Sequence, residues 1–140
     1  MAAAEPKPRV LFLCTGNSCR SQMAEGWARA LRGDRLDAYS AGTSPHGLNP
    51  LAVRAMREAR VDISHHVSKR PEEIGVDFDL VVTVCGHADE HCPQFAGARV
   101  VHVGFDDPPK LAAGAASDDE AMPHYRRVRD EIRAYIETLP

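Results

Sequence analysis

The sequence RVLFLC, residues 9–14, constrains the fold most strongly, because it ends in a continuous apolar run without polar alternation. A strand of this kind is typical of the interior of a parallel sheet, where both faces are buried. A few small residues follow it. The next segment, CRSQMAEGWARALRG, has apolar residues at helical spacing and Gly33 as its stop signal. The order strand, loop, helix is the beginning of an α/β fold.

The rest of the chain continues this alternation. A second strand is predicted over residues 36–42, and a helix begins at Pro50 with Asn49 as its N-cap. Residues 78–85 are the clearest buried strand, and residues 98–105 form another. We therefore expect an α/β single-domain three-layer sandwich, with a mostly parallel four-stranded sheet and helices on both faces. Ligands of such sheets bind beyond the carboxyl ends of the strands.

The C-terminal segment is predicted to be a closing amphipathic helix. Its apolar stripe consists of Met122, Tyr125, Val128, Ile132, Tyr135, Ile136 and Leu139. Ser117 and Glu120 resemble a capping box. Pro123 lies six positions further on and has no helical donor, so we expect the helix either to kink or to begin later.

Composition limits the classes of function. A chain of 140 residues fits one domain, which we place at residues 9–140 behind a flexible tail at residues 1–8. The net charge of -3 predicts no nucleic-acid or membrane partner. The start has no secretory signal and no later run is long enough to span a membrane, so we expect a cytoplasmic protein. Its four cysteines are then more often catalytic, redox-active or metal-binding than structural.

The segment CTGNSCR, residues 14–20 and here named the anion loop, is suited to hold a tetrahedral oxyanion. Its small residues let successive backbone N–H groups turn inward, and the following helix adds its positive end. Arg20 can offer two parallel donors to an oxyanion. The same field is expected to lower the pKa of Cys14, and Ser21 could donate its hydroxyl to that thiolate. The expected oxyanion-binding residues are Thr15, Gly16, Asn17, Ser18, Cys19 and Arg20.

Simpler interpretations of single residues stay open. A strand-to-helix turn of small residues can contain a cysteine by chance. Asn17 tolerates left-handed backbone geometry and could serve only to shape the loop. The side chain of Cys19 is expected to pack into the start of the helix.

Nucleophilic attack on an oxyanion also needs an acid for the departing oxygen. The segment GFDDPP supplies Asp106 and Asp107 in a loop stiffened by Pro108 and Pro109. Paired aspartates before proline are also a common turn sequence. Spacing alone leaves both interpretations open.

A second cysteine pair, Cys85 and Cys92, lies in VCGHADEHCP. In one regular helix their Cα atoms would lie roughly 10 Å apart, beyond the ~7 Å limit for a disulfide, so bonding them would require the segment to unwind. Three interpretations remain: two unrelated core thiols, a metal site with His87 and His91 whose spacing matches no usual zinc pattern, or a redox relay. The relay is favoured because Cys14 and Cys85 each end a predicted strand at one sheet edge.

Several of these segments together resemble the arsenate reductases that are reduced by thioredoxin, which share the fold of low-molecular-weight protein tyrosine phosphatases. The resemblance runs from Val10 to Ile136 and rests on CTGNSCRSQMAEGW, HGLNP, VVTVCGHADEHCP, GFDDP and RVRDEI. The loop motif is common to the phosphatases. The pair Cys85 and Cys92 and the GFDDP setting belong to the reductases.

The resemblance implies a role for each of these residues. Cys14 is the nucleophile, Arg20 and the loop amides hold arsenate, Ser21 assists the thiolate, and Asp107 is the acid. Cys85 would attack the sulfur of the Cys14–arsenate adduct, release arsenite and leave a disulfide, which Cys92 would move to Cys85–Cys92 by ordinary thiol–disulfide exchange. The reducing equivalents would come from thioredoxin, with no bound cofactor, no metal and a monomeric chain.

Other functions are kept as alternatives. The same loop with Asp107 could serve a tyrosine phosphatase in which the other cysteines are idle. A non-catalytic oxyanion or metal sensor could report through Cys85 and Cys92. Related reductases that use low-molecular-weight thiols would not need this pair.

One position departs from the family pattern. Some relatives hold a potassium ion through positions that match Asn17, Glu25, Ser40 and a downstream aspartate, where this chain has Lys69. An ammonium group there would repel a cation or replace it. We therefore expect little dependence on potassium, although Lys69 could also be a solvated loop residue.

Overall fold

The computed structural model describes residues 7–85, 95 and 97–139. Its sheet consists of β1 (Arg9–Cys14), β2 (Asp37–Gly42), β3 (Leu80–Thr83) and β4 (Arg99–His102). The strand order is β2-β1-β3-β4, and all three neighbouring pairs are parallel. The carboxyl ends of the strands therefore meet at one edge, and β1 lies between β2 and β3.

Both faces of the central strands are covered. Leu11, Phe12 and Leu13 point alternately to the two faces of β1, and all three are 0% exposed. Val81 and Val82 on β3 are buried in the same way. Burial on both faces explains why these strands are continuous apolar runs, and it confirms the predicted α/β sandwich.

The outer strand β4 differs from the prediction. Residues 98–105 were expected to be a buried strand, but Val100 is 44% exposed and both Arg99 and His102 are exposed. In the described part of the chain β4 pairs only with β3. Its apolar sequence is that of an edge strand, which periodicity alone does not distinguish from an interior one.

The helices are α1 (Arg20–Arg32), α2 (Pro50–Glu58), α3 (Pro108–Leu111) and α4 (Asp118–Ile136), with a short 3-10 turn at Pro71–Glu73. α1 packs against α4 and against β1 and β2. None of the described helices is long and apolar enough to cross a membrane.

The helix ends follow the sequence signals in most places. Gly33 ends α1, and the Asn49 side chain accepts hydrogen bonds from the N–H groups of Leu51 and Ala52 at the start of α2. Ser117 caps α4, so of the two expected alternatives, a kink or a later start, the later start is wrong. Pro123 lies inside α4 at an exposed position, where the unbonded carbonyl one turn earlier can meet water.

The N-terminal boundary also differs slightly from the prediction. Lys7 Nζ donates to the Gly33 carbonyl at 2.8 Å, and the Pro8 carbonyl accepts from the Asp37 N–H at 2.9 Å. These two residues contact the domain although the sequence placed them in the tail. Residues 1–6 of that tail lie outside the described part.

Candidate functional site

An open cavity of about 650 Å³ lies at the carboxyl edge of the sheet. The anion loop forms one side, residues 46–50 form a second, and Asp107 and Pro109 form a third. Because β1 ends at Cys14 and α1 begins at Arg20, the loop connects the central strand directly to the positive end of a helix.

The carbonyl groups of the anion loop are turned outward and held there. The acceptors and their donors are Cys14 O with Thr43 N at 3.1 Å, Thr15 O with Ser44 N at 2.8 Å, Gly16 O with His46 N at 3.0 Å and Ser68 Oγ at 2.9 Å, Asn17 O with Gln22 Nε2 at 3.1 Å, Ser18 O with Asn49 N at 2.9 Å, and Cys19 O with Met23 N at 2.9 Å. Five of these donors belong to the backbone of residues 43–49 or to Ser68, which therefore form a brace around the loop. Carbonyls held outward leave the N–H groups on the inner side, as an anion nest requires.

Asn17 shapes the loop, as its sequence position suggested. It has a φ of 46°, a left-handed conformation that asparagine tolerates better than most residues, and it is fully buried. Its Oδ1 accepts from Lys69 N at 2.9 Å and from Gln22 Nε2 at 3.1 Å. Gly42 lies against this turn, and a Cβ there would come within 2.5 Å of Thr15 O and 2.7 Å of Asn17 N. The loop is therefore fixed from both sides.

The direction of the hydrogen bonds sets the role of the Ser21 hydroxyl. Asn17 Nδ2 donates to Ser21 Oγ at 2.9 Å, and Ser21 Oγ lies 2.8 Å from Cys14 Sγ. Because the amide nitrogen is only a donor, the serine oxygen accepts there and can direct its own proton at the sulfur. A hydrogen bond to sulfur in this direction favours the thiolate.

The expectation that the loop lowers the pKa of Cys14 is not met in this conformation. Burial raises the pKa of the Cys14 thiol above its ordinary value of 9.0, and the opposing hydrogen bonds from the Ser21 side chain and from the backbone N–H groups of Ser21 and Asn17 are smaller effects. Cys14 is 3% exposed. Arg20 does not offset the burial, because its guanidinium donates to the Phe105 carbonyl at 3.0 Å.

The two aspartates of GFDDPP have different surroundings. Asp107 lines the cavity, and its Oδ1 lies 3.7 Å from the guanidinium of Arg20. It occupies the N-cap position of α3 without using its side chain as a cap. Asp106 is exposed and pairs with Arg127 at 2.9 Å. Of the two, Asp107 is the carboxyl group placed to face a ligand.

Cys19 packs as the sequence suggested. Its side chain is 3% exposed, and burial raises the pKa of its thiol far above the ordinary value. A buried neutral thiol at the first turn of α1 is a packing group. Its contribution to anion binding would come from its backbone.

Cys85 lies beside the loop, two residues after β3 ends. Its Sγ is 3.4 Å from Oγ1 of Thr15, the residue that follows Cys14, and a negative charge on Cys85 would raise the pKa of Cys14. Cys85 is 4% exposed. Cys92, His87 and His91 lie outside the described residues, so the pairing with Cys92 and the metal interpretation stay predictions.

Sequence reasoning missed two side chains that hold the anion loop in place. Gln22 and Ser68 each hold a loop carbonyl, and Gln22 also holds Asn17. Gln22 is 0% exposed on α1, and a buried amide inside an apolar helix face is a signal that could have revealed it. Ser68 lies in an irregular segment remote in sequence, and no local pattern indicates its partner.

A buried carboxylate lies behind the loop at Glu25. Its Oε1 accepts from Ser40 Oγ at 2.6 Å and lies 4.0 Å from Lys69 Nζ, while Arg29 lies 3.1 Å and His66 3.5 Å from Oε2. Burial lowers the pKa of Lys69 and Glu25 opposes that shift. Cationic side chains thus surround the carboxylate at the position where the sequence raised the question of a potassium ion, and the expected lack of dependence on potassium stays a prediction.

Comparison with known proteins decides the family. Residues 9–139 match the model of the family described as low molecular weight phosphotyrosine protein phosphatase. The chain belongs to this family. Within it, the chain is 51% identical over 135 residues to an arsenate reductase of Halalkalibacterium halodurans, covering 95% of each chain.

Solved structures of family members agree with this fold. An arsenate reductase in the phosphate-binding state superposes with a TM-score of 0.77 at 30% identity, covering 93% of this chain and 94% of that one. A thioredoxin-dependent arsenate reductase of Corynebacterium glutamicum superposes with a TM-score of 0.64 at 26% identity, covering 96% of this chain and 64% of that one.

Proposed function

We propose that this chain reduces arsenate to arsenite, with Cys14 as the nucleophile and a disulfide relay through Cys85 and Cys92. The observation that carries the proposal is the position of Cys85 next to the anion loop, 3.4 Å from Thr15 and near Cys14. A phosphatase would use the loop and Asp107 and would not need Cys85. The 51% identity to an arsenate reductase supports the same function.

In the first step, the inward N–H groups of the loop and the Arg20 guanidinium bind the oxyanion. The Cys14 thiolate attacks arsenic, a sulfur–arsenic bond forms and an arsenic–oxygen bond breaks. Asp107 gives a proton to the departing hydroxyl, which leaves as water. Arg20 lies between Phe105 and Asp107, so a rotation of its side chain would bring both donors to the anion.

In the second step, the Cys85 thiolate attacks Cys14 Sγ. A sulfur–sulfur bond forms, the sulfur–arsenic bond breaks, and its electron pair stays on arsenic, which leaves as arsenite. Two thiols are thus oxidised to one disulfide while arsenic gains two electrons. Cys92 then attacks Cys85, which frees Cys14 and leaves a Cys85–Cys92 disulfide.

Thioredoxin is the proposed donor that reduces this disulfide. The similarity to the thioredoxin-dependent reductase of C. glutamicum supports this choice. We place the reaction in the cytoplasm, where thioredoxin keeps thiols reduced, and we expect a monomer. The cycle uses no bound cofactor or metal.

A phosphatase activity is the second candidate, because the cavity exceeds what a small oxyanion needs. A volume of about 650 Å³ is in the range that holds an organic ligand. The description of the family as phosphotyrosine protein phosphatases also supports this candidate. Since both reactions begin with attack by Cys14, a slow hydrolysis of aryl phosphates is compatible with the main proposal.

The deciding experiment compares the two substrates on the same protein. Arsenite is measured over time with arsenate, thioredoxin, thioredoxin reductase and NADPH, and hydrolysis of p-nitrophenyl phosphate is measured in parallel. We expect many arsenite molecules per protein and slow hydrolysis. Efficient hydrolysis without arsenite would establish the phosphatase instead. Cys14→Ser should be inactive in both assays and serves as the control.

A further inference from the structure

His46 lies directly on the anion loop, against Gly16. Its backbone N–H donates to the Gly16 carbonyl at 3.0 Å, which fixes the main chain of the brace at this residue. The residue is exposed and lines the cavity together with Cys14 and Arg20. The imidazole is therefore held by its backbone but accessible to a ligand.

The His46 ring lies directly against Gly16. A Cβ built on Gly16 would lie 2.1 Å from His46 Nε2, 2.4 Å from Cδ2 and 2.8 Å from Cε1. The φ of Gly16 lies outside the left-handed range, so its backbone does not itself require glycine. A side chain at residue 16 would have to displace the imidazole, and the ring atom nearest to such a Cβ is Nε2.

Few nitrogen donors of side chains reach this cavity. Among its described lining residues, Arg20, His46 and Asn49 carry such groups. Asn49 Nδ2 donates to the Tyr125 hydroxyl at 3.0 Å, and Arg20 is held on the side of Phe105 and Asp107. On the side of residues 46–50, the imidazole of His46 and the second hydrogen of Asn49 Nδ2 are the nitrogen donors that can face a ligand.

We propose that His46 is an oxyanion-binding residue, whose Nε2–H donates to an oxygen of the anion held by the loop. The inference rests on the proposed function only in taking the loop as the oxyanion site. The loop N–H groups, Arg20 beside Asp107, and His46 then bind the anion from the three sides of the cavity. One such hydrogen bond to an anion corresponds to about a tenfold to hundredfold change in affinity.

The test is the dissociation constant for inorganic phosphate, measured by calorimetry on the full chain with reduced thiols. His46→Phe keeps a ring over Gly16 but removes the donor, and His46→Gln restores a donor. We expect about tenfold or greater weakening in the first variant and substantial recovery in the second. His124→Phe, on α4 and outside the cavity lining, is the matched control and should bind like the parent.

Equal phosphate affinity in the parent and His46→Phe would overturn the inference while leaving arsenate reduction intact. Weaker binding in His46→Phe without any arsenite formation by the parent would support the inference and reject the proposed function. In His46→Phe, the KM for arsenate should rise by the same factor as the dissociation constant for phosphate. A purely structural defect would instead lower the melting temperature of both His46 variants alike.

A pair of substitutions tests whether the His46 ring lies against Gly16. Gly16→Ala should weaken phosphate binding in the parent, because the ring must move aside from the new Cβ, and much less in a His46→Ala background, where the clash is absent. Equal damage in both backgrounds would contradict the contact between ring and loop, and the inference with it.

Discussion

The anion loop and the segment that carries the proposed acid, residues 106–111, lie on the same cavity but are built differently. Each carbonyl from Cys14 to Cys19 has a donor, and Asn17 is fully buried. The Asp107 side chain is 38% exposed, lies 3.7 Å from its cationic neighbour and begins a helix of four residues. The molecule thus fixes the groups that bind the anion and leaves the acid adjustable.

The contrast has a physical reason. Binding by backbone dipoles depends on their orientation before the ligand arrives, so a loop held by many hydrogen bonds loses little entropy on binding. A proton donor must instead follow an oxygen that departs during the reaction. A partly exposed carboxyl group on a short helix can do so.

Removing the nucleophile gives the largest effect and separates binding from chemistry. Cys14→Ser should lower arsenate reduction by about 10⁴-fold or more, because a serine hydroxyl does not form the adduct. The braced loop stays in place, so phosphate affinity measured by calorimetry should change by only a few fold. Loss of phosphate binding would show that the loop depends on the thiol.

Changing the acid should affect turnover alone. Asp107→Asn is expected to lower the turnover rate by about 10²- to 10³-fold, in the usual range for a general acid. Phosphate affinity should stay the same, because the loop N–H groups and the Arg20 guanidinium that bind the anion are unchanged. Asp106→Asn is the matched control, since Asp106 is exposed and paired with Arg127. Equal losses of turnover in both variants would contradict the assignment of Asp107, rather than Asp106, as the general acid.

A larger side chain at Gly42, which packs against the anion loop, should weaken phosphate binding. Gly42→Ala places a Cβ within 2.5 Å of Thr15 O and 2.7 Å of Asn17 N, and overpacking of this kind costs about 1–3 kcal/mol. We expect a lower melting temperature and weaker phosphate binding. Gly114→Ala has open space and is the control. A loop that tolerates Gly42→Ala as well as Gly114→Ala would not be rigid.

The Ser21 hydroxyl should lower the pKa of Cys14, so Ser21→Ala should raise it further. The pH dependence of Cys14 alkylation by iodoacetamide, followed by peptide mapping, should move to higher pH, with about tenfold slower alkylation at neutral pH. Ser44→Ala, on the exposed brace, is the control.

The pH dependence of the free energy of unfolding tests the raised pKa of Cys14 in the unmodified protein. The pKa of Cys14 in the folded state is raised above 9.0. The associated stability is present below pH 9 and is lost as the pH rises towards the folded pKa. Unfolding free energies that stay constant above pH 9 would contradict the burial argument.

Potassium should have the smallest effect. Because Lys69 and Arg29 already lie near Glu25, melting temperature and arsenite production should be equal in potassium and sodium chloride at matched ionic strength. Lys69→Asp removes the ammonium group beside Glu25 and tests whether that group takes the place of a potassium ion. A higher melting temperature or faster arsenite production of the parent protein in potassium chloride would refute the hypothesis that Lys69 replaces the ion.

Periodicity and capping signals predicted much of this structure. The apolar run of β1 and the asparagine–proline start of α2 appear where the sequence placed them, since local patterns determine them. The edge position of β4 was not predicted, because an apolar run does not specify its neighbours. Ser68 and His46 reach the loop from remote parts of the chain, and the direction of Arg20 depends on Phe105. Such tertiary contacts have no local signal.

The central claim is tested most directly by counting product in the Cys92→Ser variant. The protein is reduced, freed of reductant and mixed with excess arsenate, and arsenite and disulfides are measured by mass spectrometry and peptide mapping. The account predicts about one arsenite per chain and a trapped Cys14–Cys85 disulfide. Continued turnover without Cys92, or a disulfide that excludes Cys85, would contradict it.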